Sequence, residues 1–295
     1  MKNLVKKLGF HYLIPIAILG MMILLLHDFF MVNSTYYQLA YDTEKSGVFR
    51  KMNFPDGGLA RLYELADEWK EDPYDVITVA MINSGYCFDG TAGGLSHLQF
   101  QQLYAGIQNQ KPAEYRRLRS HYQVLLSDLT CFPVLLDPDR DVRRLNYENG
   151  WGDSRSYGGE RSHEGTDLMD RDNVRGMLPV VSMTDGTVTR LGWLEQGGYR
   201  AGVTSPSGCY YYYAHLASYA EGLAEGVSVK AGQLLGYMGD TGYSAVEGTT
   251  GNFDVHLHVG IYLNAGTSEE ISVNPYWILR YLEEKAFSYH YRSVY

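Results

Sequence analysis

An all-β antiparallel domain, preceded by a small helical region and a membrane-spanning helix, is the architecture that this sequence predicts. Three observations predict it. The carboxyl half is a series of short runs rich in Val, Tyr, Thr and Gly, broken by turn dipeptides such as Asp185-Gly186 and Ser207-Gly208. The middle carries apolar residues at helical spacing. The amino end is one long apolar run.

A chain of 295 residues has room for about two domains and a sizeable core. An apolar fraction of 45% with only 9 Pro excludes a collagen-like or wholly disordered chain. The net charge of -9 has no basic stripe to offset it, which argues against a nucleic-acid partner. Three cysteines without a CxxC make neither a disulfide framework nor a thiolate metal site. Cys87 with Cys131 is the one candidate pair.

At the amino end, Leu8 to Leu26 contains His11 but no Asp, Glu, Lys or Arg and would reach roughly 28 Å as a helix, close to a bilayer core. Lys2, Lys6 and Lys7 precede it, and no Ala-x-Ala site follows it. Residues 1–34 therefore read as a cytoplasmic tip and an uncleaved signal anchor, meeting a lipid bilayer through residues 8–32. That makes a single-pass protein of the cell membrane, its amino end cytoplasmic and its body outside.

Residues 35–58 lack a clean period and read as a linker. In Leu59 to Glu71 the residues Leu59, Leu62, Leu65, Ala66 and Trp69 share a helical face. Asp72 is an N-cap and Pro73 a first helical position for the apolar PYDVITVAMIN. Leu95 to Tyr104 and Pro112 to Leu126 read as two further helices. The region 59–127 holds no nucleophile constellation and no paired carboxylates, so it reads as a spacer or a partner-binding module.

Residues 128–275 form the β domain. VVSMTDGTVTRLGWL, RAGVTSPSGCYYYYAHL, VSVKAGQLLGYMG and DVHLHVGIYL read as strands joined by tight turns. The run Tyr210 to Tyr213 alternates between faces, so half of it packs inward. Residues 276–295 close the chain as a helix, PYWILRYLEEKAF being its core, and a tail.

Four of the nine histidines fall in the β domain. His163 stands in RSHEGTDLMD with Asp167 four residues on, where a turn at Gly165 can fold both side chains toward one point. His256 and His258 flank Leu257, so in a strand both imidazoles leave by one face. His215 ends the YYYYAHL strand. An HxxxD, an HxH or a lone strand-end histidine is each common by accident; their ordered conjunction in one domain is not.

The segment from about Ser162 to Tyr262 resembles the LytM or lysostaphin-type zinc metallopeptidases of the M23 family. The markers are SHEGTDLM, TDGTVTRLGW, YYAHL, GVSVKAGQLLGYMGDTG and VHLHVGIY. The resemblance implies a LytM-like fold, with His163, Asp167 and His258 as Zn²⁺ ligands. It implies His215 and His256 as catalytic histidines off the metal. No position of either set is missing. Val259 stands where an aromatic residue is frequent, and EGTTGNF lengthens the approach to the HxH motif; both bear on substrate choice.

Two imidazoles and a carboxylate leave a zinc ion one open position, as a catalytic site requires. Zinc there would acidify water and polarise a carbonyl, while His256 and His215 handle the oxyanion and the leaving amine. Glu164 lies beside His163 but belongs to no HExxH motif and reads as a solvated loop residue, not a base. Arg155, Tyr157 and Arg161 are candidate groove residues. The resemblance implies a membrane-anchored zinc metalloendopeptidase that hydrolyses peptides of the bacterial peptidoglycan. The alternative is an M23-like scaffold of a cell-envelope, division or sporulation complex, with an envelope protein bound through residues 59–127.

Overall fold

The computed structural model describes residues 12–27, 29, 39–90, 94–136 and 145–287. Helix α1 spans residues 12–27 and is exposed along its length. At 1.5 Å per residue it is about 24 Å long, short of a hydrocarbon core of about 30 Å. Among the described residues no helix is long and apolar enough to cross a membrane. The expected single-pass anchor, its bilayer contact through residues 8–32 and the membrane localisation are therefore not supported. The remainder of that run lies outside the described residues.

The helical region comprises α2 (Gly47–Arg50), α3 (Gly58–Trp69), α4 (Pro73–Asn83), α5 (His97–Gln110) and α6 (Pro112–Leu126). Asp72 caps α4 by accepting from the amides of Tyr74 and Asp75, with Pro73 in the first turn. Ser96 and Gln99 close a capping box that starts α5 two residues later than the sequence suggests and carries it to Gln110. Residues 39–57 fall in the expected linker but hold α2 and a 3₁₀ turn, with Leu39, Phe49 and Met52 at 0% exposure. Their apolar residues are irregularly spaced, so periodicity missed them.

Twelve strands follow: β1 (Leu145–Asn146), β2 (Ser154–Arg155), β3 (Arg161–Ser162), β4 (Thr166–Asp170), β5 (Pro179–Val181), β6 (Gly186–Leu194), β7 (Gly198–Thr204), β8 (Tyr210–Tyr219), β9 (Ser228–Val229), β10 (Leu234–Met238), β11 (His256–Leu263) and β12 (Ile271–Val273). Helix α7 (Tyr276–Glu283) ends the described chain. The main sheet runs β1-β4-β11-β8-β7-β6-β9, every pair antiparallel. β2 and β3 make a separate hairpin.

The helices pack on one face of this sheet and are not a detached module. Val203, Tyr211, Tyr213, Leu257, Val259 and Ile261 are buried there in one core with Leu118, Tyr122 and Leu125 of α6. The last turn of α6 leaves carbonyls without helical partners. The sheet supplies donors to them: Tyr211 Oη to Leu125 O at 3.1 Å and Ser207 Oγ to Val124 O at 2.9 Å. Cys87 and Cys131 do not pair. Cys87 accepts from Asn53 Nδ2 at 3.0 Å, and buried Cys131 donates to Ser182 O at 3.2 Å.

Candidate metal centre

The other face of the sheet carries the histidines. Register places Asp167 of β4 opposite His258 of β11, and His258 opposite Ala214 of β8. Paired residues share a face, so Asp167 and His258 emerge side by side. His256 lies two residues back on the same face. His163 enters from the loop ahead of β4, where its amide donates to Asp153 O and its carbonyl accepts from Gly152. Gly165 is required between them: a Cβ there would lie 2.4 Å from the His258 ring.

Three atoms converge. His163 Nε2 is 3.1 Å from Asp167 Oδ1 and 3.0 Å from His258 Nδ1, and His258 Nδ1 is 2.8 Å from Asp167 Oδ1. His163 Nδ1 lies 2.9 Å from Gly150 O, which can only accept, so the ring proton is on Nδ1 and a lone pair faces the cluster from Nε2. Burial would raise the Asp167 carboxyl, but its contacts with His163 and His258 outweigh this and hold it far below the ordinary carboxylate range. Burial lowers His258, with Asp167 opposing. A carboxylate oxygen and two imidazole nitrogens this close together make a donor set that a cation could join. An ion bound at about 2.0–2.1 Å would spread three tetrahedral ligands to roughly 3.3 Å, a small adjustment from what is seen. The donor set therefore fits a metal.

The second Asp167 oxygen is taken by Arg155, 3.0 Å away. His256 stands off, its Nε2 3.9 Å from Asp167 Oδ1. Its Nδ1 meets Asp254 O at 2.7 Å, and His215 Nδ1 meets Thr241 O at 2.7 Å. Both rings therefore carry the Nδ1 proton when neutral and turn Nε2 away from those carbonyls. Their centroids are 4.6 Å apart. Phe253 packs against both, edge-on to His215 at 4.7 Å and tilted against His256 at 5.0 Å. Burial disfavours charge on His215, and His256 and His258 add to it, so its pKa is held well below the usual histidine value.

The cluster lines a groove of about 820 Å³ together with Arg155, Arg161, Arg190, Arg200, Tyr210, Tyr212 and Tyr262. Residues 161–275 match the family model described as Peptidase family M23. The structure resembles a crystal structure of a candidate glycyl-glycine endopeptidase, lytM, from Ruminococcus gnavus. The two are 42% identical, the match covers 88% of this chain and 99% of that one, and the TM-score is 0.73. The chain belongs to peptidase family M23. It is also 41% identical over 168 residues to the L-Ala–D-Glu endopeptidase of Bacillus subtilis (strain 168), a match that covers 57% of this chain. The chain spans 48% of the length of that relative.

All five histidine and aspartate residues singled out from the sequence line the groove of this M23 domain. Arg155 and Arg161 line it too, whereas Tyr157 stacks on Tyr243 at 4.5 Å. Glu164 accepts from Ser272 Oγ at 2.9 Å and pairs with Arg50 at 3.4 Å, which ties α2 to the His163 loop. Sequence reading missed Phe253, Arg190, Arg200 and the three carbonyls that fix the histidine tautomers. The period-two alternation of β6 to β8 pointed to the arginines only once pairing register was known.

Proposed function

We propose that the chain is a zinc endopeptidase acting on peptides of bacterial peptidoglycan. His163, Asp167 and His258 hold the metal, and His215 and His256 act on the substrate. The observation that carries this reading is the convergence of His163 Nε2, Asp167 Oδ1 and His258 Nδ1 at mutual distances of 2.8–3.1 Å, on the wall of a groove large enough for a peptide. The names of the two relatives support a peptide bond as the target and differ in which one. Residues 128–275 carry the chemistry, and residues 59–127 back the sheet.

When bound, zinc supplies Lewis acidity that polarises a peptide carbonyl and acidifies water. The chain's own groups do the rest. Arg155 holds Asp167 by one oxygen and leaves the other for the centre. His256 and His215, each pinned through Nδ1, turn Nε2 toward the groove, where an Nε2 lone pair takes a proton from water. Once protonated, Nε2 donates to the developing oxyanion or to the departing amine. Phe253 keeps both rings upright and excludes water from their flank. The test is elemental analysis of the purified chain, followed by hydrolysis of purified peptidoglycan with and without a chelator. One zinc per chain and chelator-sensitive release of peptide amines are expected; full hydrolysis by a metal-free protein would overturn the reading.

A further inference from the structure

We propose that Arg200 and Arg190 form a carboxylate-binding subsite at the far end of the groove, so that the preferred substrate is an acidic peptide, not a neutral glycine-rich one. This rests on the reading of the groove as a peptide-cleaving site.

The sheet register places the pair. Gly260, Tyr212, Gly202 and Arg190 follow one another across β11, β8, β7 and β6. Arg200 lies two residues before Gly202 and therefore on the same face, beyond Ala214 in the direction that leads away from His258. Strands stand about 4.8 Å apart, so the strand of Arg200 is roughly 10 Å and that of Arg190 roughly 14 Å from β11. An extended peptide advances about 3.3–3.6 Å per residue, which makes this span about three residues.

The floor between the two ends is built to be flat. A Cβ on Gly202 would fall 2.0 Å from Tyr210 Oη, and one on Gly260 would fall 2.6 Å from Tyr262 Cε2. The tyrosines lie down across these glycines and leave an open track from the metal cluster to the arginines.

At the end of that track neither guanidinium makes an ion pair among the described residues. Arg200 Nη1 is buried and meets no hydrogen-bond partner, and Arg200 forms no ion pair among the described residues. Among the described residues Arg190 donates only to the neighbouring Thr189 carbonyl, at 3.0 Å. The other groove arginines are engaged: Arg155 with Asp167, Arg161 with Tyr157 O and Tyr243 Oη. The groove carboxylates are engaged too: Glu164 by Arg50 and Ser272, Glu270 by the Gly266 amide. A buried guanidinium nitrogen left without an acceptor is costly, and the missing partner is one that arrives with the ligand. In a chain of net charge -9, such a concentration of arginine is not a generic surface.

The test uses two synthetic peptides of wall composition. They are identical except that the residue three positions from the scissile bond carries a carboxylate or its carboxamide. The wild-type chain is expected to prefer the acid at least tenfold in kcat/KM, mainly through KM. In Arg200→Gln the acid-to-amide ratio should fall toward one. Arg200→Lys should keep part of it, and exposed Arg190→Gln should lose a smaller part. An unchanged ratio in Arg200→Gln overturns the proposal. If that variant melts well below wild type, the ratio in Arg190→Gln decides in the same way. If the wild type cleaves neither peptide, the peptidase reading fails by itself. Calorimetric affinities of the full chain for the two peptides then settle the subsite, equal affinities overturning it.

Discussion

Strand β8 presents four consecutive tyrosines, and its two faces use the same side chain for different ends. Tyr211 and Tyr213 are at 0% exposure, driven between the sheet and the helices. Each hydroxyl has an assigned partner: Tyr211 donates to Leu125 O, and Tyr213 accepts from the Met183 amide at 2.9 Å. Tyr210 and Tyr212 are half-buried and lie over glycines in the groove, with Tyr212 edge-on to His258 at 5.9 Å. Residue type did not decide these roles. Parity along the strand did, because one face meets α6 and the other meets the cluster of His163, Asp167 and His258. Substitutions on one face should therefore spend themselves in stability, and those on the other in chemistry.

The sharpest test of that division is on the groove face. His258→Ala should empty the metal site and abolish hydrolysis, with partial rescue by excess zinc. His256→Ala should keep the metal and lose about 10²-fold or more in turnover. Zinc content followed by turnover at several zinc concentrations separates the two, and exchanged behaviour would exchange the roles. On the core face, Tyr213→Ala should cost about 3–5 kcal/mol in urea unfolding. Tyr212→Ala, one residue away, should cost far less and act mainly on KM. Equal losses of stability would break the comparison.

A smaller effect concerns the rim. Asp240 accepts from Arg175 Nη2 at 2.8 Å and from the Gly251 amide at 2.9 Å, fastening the loop that carries Phe253. Burial would raise the Asp240 carboxyl, but the Arg175 and Gly251 hydrogen bonds win and its pKa is lowered. A carboxylate with a depressed folded pKa stabilises the fold above its unfolded value of about 3.9 and loses that contribution as pH falls through the folded value. Arg175 is partly exposed, so the contribution at neutral pH is only about 1 kcal/mol. Thermal melts should show wild type above Asp240→Asn at pH 7 and the gap closing below about pH 4. A gap that widened on the acid side would reverse the assignment.

What the sequence disclosed follows the range of the interactions involved. The HxH pair, the HxxxD spacing and the Asp72-Pro73 cap are local, so periodicity and capping rules reached them. The carbonyls of Gly150 and Thr241 lie 13 and 26 residues from the histidines they orient, and no local pattern marks them. Arg200 was hidden for a related reason: which strand neighbours β7, and in what register, is decided by packing. The linker reading failed at Phe49 and Met52 because two isolated apolar residues give no period, although both end in the core. The apolar amino-terminal run misled in the opposite sense, since hydropathy alone suggested a span that the described helix is too short to make.

His215 holds a backbone φ of 63° within β8, a left-handed conformation that a side chain with a Cβ adopts only at a cost of order 1–3 kcal/mol. At this point the strand leaves β11, shifts its register against β7 and begins to pair with β10. The imidazole thus sits on a corner where glycine would be the easier choice, and folding stability is traded for its position. In an ordinary strand interior, replacing alanine by glycine destabilises by about 0.5–1 kcal/mol. Here the order should invert: His215→Gly should melt above His215→Ala, both without the imidazole. Selection for stability alone would remove this histidine, so its presence at the corner records a demand of a different kind.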